Sequence, residues 1–210
     1  MDELNELTLP LLTLTSGVVL PGMVFTMALE TDEARTAAEA ARSVGGRLVL
    51  VPNIEGRYAK VGVIAEILEE GEIPGGPKAA VVRGEQRAFI GTGMPGTGSA
   101  LWVQVDPWTE PPAAEETVQL AREYRAVLEN ILLTRGARQM AERLRDVHEP
   151  AEIADLAGYS PDLSLEDKVK VLETVALEDR LRLVLGWARE TLADLALRDQ
   201  IKTNVEEGME

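Results

Sequence analysis

The sequence predicts an α+β fold: a β-rich lobe with one helix over residues 1–110, then a helical subdomain ending in a long helix over residues 111–210. Two observations carry this expectation. Apolar residues recur at every second position up to the proline cluster Pro107, Pro111 and Pro112, and at every third or fourth position after it. The runs VGVIAEIL and AAVVRGEQRAFI flank the turn-rich EEGEIPGGP, which makes residues 61–90 a long antiparallel hairpin with a solvated, glutamate-rich tip.

In chain order, Leu7, Leu9, Leu11 and Leu14 form a first strand, and Thr15, Ser16 and Gly17 a turn. Pro21 lacks an amide donor, so it marks an edge, corner or bulge before a second strand over residues 23–29. Thr31 reads as the N-cap of an alanine-rich helix over residues 32–44, with Asp32 and Glu33 in its first turn. Gly45 and Gly46 end that helix, and RLVLVP follows as a buried strand. In the hairpin, Gly84 permits a bulge or a close backbone approach. ALWVQV is the last strand of the lobe.

After residue 113 one helix presents Ala121, Tyr124, Leu128, Ile131 and Leu132 on one face and stops at Gly136, and a second presents Met140, Leu144 and Val147. Pro150 opens a short helix that ends at Gly158. Ser164 caps a final helix, with Asp167 in the capping-box position, running from 165 to about 205 with no stop before Gly208. Its seam is Leu181, Leu185, Ala188, Leu192 and Leu195.

Composition excludes several function classes. There is no cysteine and a single histidine, His148, which removes thiolate chemistry and disfavours a metal site. The net charge of -15 opposes a phosphate-backbone partner. It is not segregated, since residues 1–110 hold 8 basic and 15 acidic side chains and residues 111–210 hold 13 and 21. No apolar stretch has the length to span a bilayer, and the acidic start MDELNELTLP is no export signal, so the expected location is cytoplasmic with no membrane partner. Gly91, Gly93 and Gly96 have dinucleotide-fingerprint spacing, but Pro95 interrupts them and a strand follows where a helix is needed. No lysine sits in a P-loop, and Ser16, Ser43, Ser99, Ser160 and Ser164 lie in turns or caps, none in a nucleophile elbow.

The strings LPLLTLTSGVVLPGMV from Leu9, VGVIAEIL from Val61, VVRGEQRAFI from Val81, and EPAEIADLAGYSPDLSLEDKVKVLETVALEDRL over residues 149–181 carry a resemblance along nearly the whole chain. Their order resembles the N-terminal, substrate-binding domain of the Lon ATP-dependent proteases. The resemblance implies a PUA-like pseudobarrel for the β-rich lobe and a helical bundle whose last helix leads to an AAA+ ATPase module and a serine-lysine peptidase module. On this reading the 210 residues are a fragment that carries no catalytic residue or cofactor, with ATP and magnesium expected in the missing ATPase module. The implied role is recognition of unfolded, misfolded or tagged proteins and assembly of the full-length ring. The alternative is a stand-alone adaptor with the same fold. Leu20, Pro21, Met23, Met94, Pro95 and Trp102 are the candidate substrate-binding residues, because they are apolar and lie in or beside bends and a glycine-rich loop.

Overall fold

The computed structural model describes residues 7–207, so the expected stop at Gly208 lies outside the described residues. Its elements are β1 (Leu7–Leu14), β2 (Val24–Ala28), α1 (Asp32–Arg42), β3 (Arg47–Ile54), β4 (Arg57–Tyr58), β5 (Val61–Glu72), β6 (Lys78–Met94) and β7 (Leu101–Pro107), then α2 (Glu115–Thr134), α3 (Arg138–Leu144), α4 (Pro150–Asp155), α5 (Leu165–Glu173) and α6 (Leu177–Glu207). A 3₁₀ turn, Leu156–Tyr159, follows α4. The fold is α+β, with a sheet lobe and C-terminal helices that include a long one.

Two compact units divide the chain. The first holds the described residues through Thr109 together with Leu163–Val175, and the second holds Glu110–Asp162 and the chain from Ala176 onward.

In the first unit, β1 pairs with both β7 and β3, so β1, β7, β6, β5 and β3 close into a ring. β1 and β3 are the one parallel pair among the described residues; the others are antiparallel. Closure gives every ring strand a neighbour on each side over at least part of its length, and β2 attaches to β6 outside the ring. Register shifts between Ile64 and Ala65 and between Ile67 and Glu69 bend the long hairpin so that it can wrap.

Alternate side chains of the ring enter two apolar clusters. Leu12, Leu48, Leu50, Ala65 and Val82 join Met27, Leu29 and the α1 alanines Ala34, Ala37, Ala38 and Ala41. Leu9, Leu11, Val49, Val51, Ile64, Ala88, Val103 and Val105 form the other cluster. β3 is therefore buried on both faces, in keeping with the unbroken apolar run LVLVP after Arg47. A fully buried leucine or valine contributes about 1.5–3 kcal/mol. Thr31 caps α1 as expected, accepting from the Ala34 amide at 3.1 Å.

One helix of the C-terminal half belongs with the strands. The capping box expected at Ser164 and Asp167 is present, but it opens a separate nine-residue helix, α5, rather than the long one. Arg87 meets the chain at this break. It lies on β6 with only 2% of its surface exposed, and it donates from Nε to the Leu172 carbonyl at 3.0 Å and from Nη2 to the Val171 carbonyl at 3.3 Å. In a continuing helix those carbonyls would accept from the amides of Ala176 and Val175. The Val175 amide instead donates to Glu173, the helix ends, and α6 starts at Leu177. A guanidinium at this helix end also meets the negative end of the dipole.

In the second unit α2 packs on α6; Thr117, Ala121, Tyr124 and Ile131 of α2 and Leu181, Val184, Leu185 and Ala188 of α6 are buried. The seam expected on the last helix is thus buried as far as Ala188, while Leu192 and Leu195 are half-buried. In α3, Ala141 and Leu144 face inward and Met140 is exposed, unlike the expected face. Arg180 is fully buried and is held by Glu110 and by Asp155, whose Oδ1 lies 3.4 Å from its Nε. Burial, helped by the Asp155 charge, raises the pKa of the Tyr124 hydroxyl.

Arg87→Met keeps the apolar stem and removes both hydrogen bonds to α5. It is expected to lower stability by about 2–4 kcal/mol in denaturant unfolding, the range for losing charge-assisted bonds that leave buried carbonyls unpaired. Amide exchange should show α5 losing protection before the ring.

Candidate functional site

The chain between β1 and β2 folds into a turn fixed by backbone bonds. The Met23 amide donates to the Leu20 carbonyl at 3.2 Å, the Gly22 amide to the Gly84 carbonyl at 2.8 Å, and the Gly84 amide to the Met23 carbonyl at 2.8 Å. The Leu20 amide points at the Met23 sulfur, 3.3 Å away. Gly84 is required here, because a Cβ would stand 2.7 Å from the Leu20 carbonyl oxygen. The close approach expected at Gly84 is therefore the docking of this turn.

Beside the turn lies a groove of about 410 Å³, lined by residues 12–19, by Met23, by Phe25–Ala28, and by Thr31 and Ala34 of the α1 start. None of its lining residues is charged, in a chain where 27% of residues are. Half-buried Met23 and Phe25 supply apolar surface beside the core residue Met27, and the hydroxyls of Thr13, Thr15, Ser16, Thr26 and Thr31 supply polar contacts. Glu33 accepts from the Thr13 amide at 3.2 Å and hydroxyl at 2.6 Å, which fixes the end of β1 against α1.

A second cleft, about 590 Å³, is lined by Ile54, Arg57, Tyr58 and Lys60 and by the α5 residues Glu166, Asp167, Lys170 and Glu173. It is larger, but its charges alternate in sign, and Arg57 bridges to Glu166 at 3.0 Å. An apolar ligand would have to desolvate those charges, so the smaller groove is the better fit for apolar chemistry.

The six candidate residues do not form one surface. Leu20 is fully buried and serves the core, while Pro21 and Met23 are half-buried and only Met23 lines the groove. Met94 is 37% exposed and Pro95 is exposed, but Met94 lies ten positions beyond Gly84 on β6, roughly 33 Å along the strand path. Trp102 is only 7% exposed. The glycine-rich loop after β6 lies on its indole, which donates from Nε1 to the Thr97 carbonyl at 3.0 Å. A Cβ on Gly96 would fall 2.2 Å from the ring, so glycine is what lets this loop lie flat. Phe25, Met27 and the hydroxyl rim were not singled out from the sequence, although the alternation in VFTMA placed Phe25 and Met27 on one face.

Among the described residues no cluster of three His, Cys, Asp or Glu is placed to hold a metal ion, and no helix is long and apolar enough to cross a membrane.

The sequence profile of the family described as the ATP-dependent protease La (Lon) substrate-binding domain matches residues 8–190. The chain belongs to this family. It is 44% identical to the Lon protease of Mycolicibacterium smegmatis over 204 residues, 97% of this chain and 26% of that protein. The Lon protease of Salinispora arenicola gives the same identity and coverage. Among solved structures, the N-terminal domain of the Mycobacterium avium complex Lon protease superposes with a TM-score of 0.81 at 42% identity, over 87% of this chain and 98% of that one. A Lon N-terminal domain protein from Xanthomonas campestris shares the fold at 19% identity and a TM-score of 0.62. The chain spans about a quarter of the length of its curated Lon relatives, 26% of both the Mycolicibacterium and the Salinispora protein. It is a Lon substrate-binding domain.

Gly96→Ala should force the loop off the indole. In a Trp108→Phe, Trp187→Phe background the Trp102 emission is expected to move to longer wavelength, with a stability loss of about 1–3 kcal/mol typical of overpacking. Unchanged emission would show that the loop already leaves the ring wet.

Proposed function

We propose that this Lon domain selects client proteins by holding exposed apolar segments of unfolded or misfolded polypeptides in the groove beside β2. The observation that supports this most directly is the uncharged groove with Met23, Phe25 and Met27 on it, within an otherwise strongly acidic chain. Methionine and a small groove suit varied segments at low affinity, in the micromolar range or weaker, and several copies around one pore would gain by multivalency. In this reading the clients pass to an ATP-dependent serine protease in the cytoplasm. ATP and magnesium belong to a module outside these 210 residues, and neither nucleic acid nor membrane is a partner.

The same reading assigns assembly to α6. Beyond Ala188 the helix buries little, and Leu197, Ile201 and Val205, four residues apart, are 55%, 55% and 52% exposed on one stripe. Such a stripe suits the matching helix of another copy.

Titrating a fluorescein-labelled, unfolded casein into the 210-residue chain tests the groove. Met23→Asp is expected to weaken binding at least tenfold while the domain stays folded, and Met94→Asp to leave it within twofold. The reverse pattern would move the client site to the far end of β6. For assembly, sedimentation should show concentration-dependent self-association that the Leu197→Asp, Ile201→Asp double variant abolishes.

A further inference from the structure

β2 is an edge strand. It pairs with β6 in the register Val24↔Arg83 to Ala28↔Ala79 and with no other strand among the described residues. In an antiparallel pair, alternate residues exchange both backbone bonds with the partner, and the residues between them direct their amides and carbonyls to the opposite side. Two bonds at the ends of the strand set the alternation. The Gly84 amide donates to Met23, and the Leu29 amide donates to Lys78, so the odd-numbered residues of this segment face β6. Thr26 and Ala28 therefore turn their amides and carbonyls away from the sheet. Both line the uncharged groove, and both are exposed.

An edge of this kind is usually protected by a charge, a proline or a covering element. Here Val24–Ala28 contains neither charge nor proline. At the α1 end of the groove stand three carboxylates, Glu30, Asp32 and Glu33, against one guanidinium, Arg35, which is bound to Asp32. The occupant that matches these features is an extended polypeptide with small or apolar residues at alternate positions and a lysine or arginine at one end.

We propose that client segments bind by adding a strand to β2, with the backbone of Thr26 and Ala28 supplying the hydrogen bonds and the groove receiving alternate side chains. This rests on the client-binding role proposed for the groove, and it names the mode. Backbone pairing makes recognition nearly independent of sequence, because every client offers the same amides and carbonyls, while pockets for alternate side chains exclude charged segments. The acidic end adds a preference for basic flanks that salt weakens.

The probe is a fluorescein-labelled decapeptide, Lys-Leu-Thr-Leu-Thr-Leu-Thr-Leu-Thr-Lys, titrated into the 210-residue chain. In an added strand only alternate peptide amides face β2, so N-methylation of all leucines and of all threonines should differ in effect by at least tenfold. Thr26→Pro removes an outward amide without touching the β2–β6 bonds, and it is expected to weaken the decapeptide at least tenfold. Amide exchange at Thr26 and Ala28 should slow by at least tenfold at saturating peptide. The N-methyl and exchange readouts use the unaltered chain, so they decide the matter even if the proline variant fails to fold. Equal effects of the two methylation patterns, with Met23→Asp still abolishing binding, would overturn strand addition and leave the groove as a side-chain site. No binding of decapeptide or casein would overturn both. A dimer that Thr26→Pro dissociates would assign the edge to a second copy of this chain and overturn the proposal.

Discussion

A single buried cation sets where the chain changes course. Arg87 comes from the middle of β6, yet the carbonyls it holds belong to Val171 and Leu172, more than eighty residues later. A buried guanidinium is tolerable only when its donors are satisfied, and the end of a helix offers unpaired carbonyls at the right electrostatic potential. The carbonyls it holds are those that the next turn's amides would have bonded had α5 continued. The helix stops, and the following residues are released to begin α6 in the other unit. Without this interaction, LEDKVKVLETVALEDRL reads as one uninterrupted helix.

What was legible in the sequence follows from the range of each interaction. The Thr31 cap and the Ser164–Asp167 capping box are local hydrogen bonds between residue types with few other uses, so they are read correctly from a handful of letters. The long hairpin is legible because its apolar alternation and its Pro-Gly tip agree. The destination of α5 is not legible, because it depends on an arginine that in sequence sits beside Glu85 and Gln86 and looks solvent-facing. β4 was missed for a different reason. Its two residues are too few to show a period.

The candidate site divides along the same line. Of the apolar residues near bends, Met23 is half-buried and Met94 is exposed. Leu20 and Trp102 are instead covered, by partners distant in sequence or by a loop whose path only Gly96 permits. The groove itself is the space between the end of β1 and the outer side of β2. No local string describes a space bounded by two strands that do not pair with each other. The helical arginines behave similarly. Arg145 pairs with Glu129 and Arg135 with both oxygens of Asp162, partners that lie on other elements.

Ring closure also imposes an order of events on a nascent chain. β1 needs β7 as a neighbour, with Leu7 opposite Val105 and Leu11 opposite Leu101, so the first strand made has to wait for the last strand of the ring. At about 5–20 residues per second that delay is roughly 5–20 s, and Val171 and Leu172 emerge several seconds later still. Throughout this interval the leucines of LTLPLLTL lack half their native cover. The domain thus passes through a stage, while still on the ribosome, at which it displays an exposed apolar segment of its own.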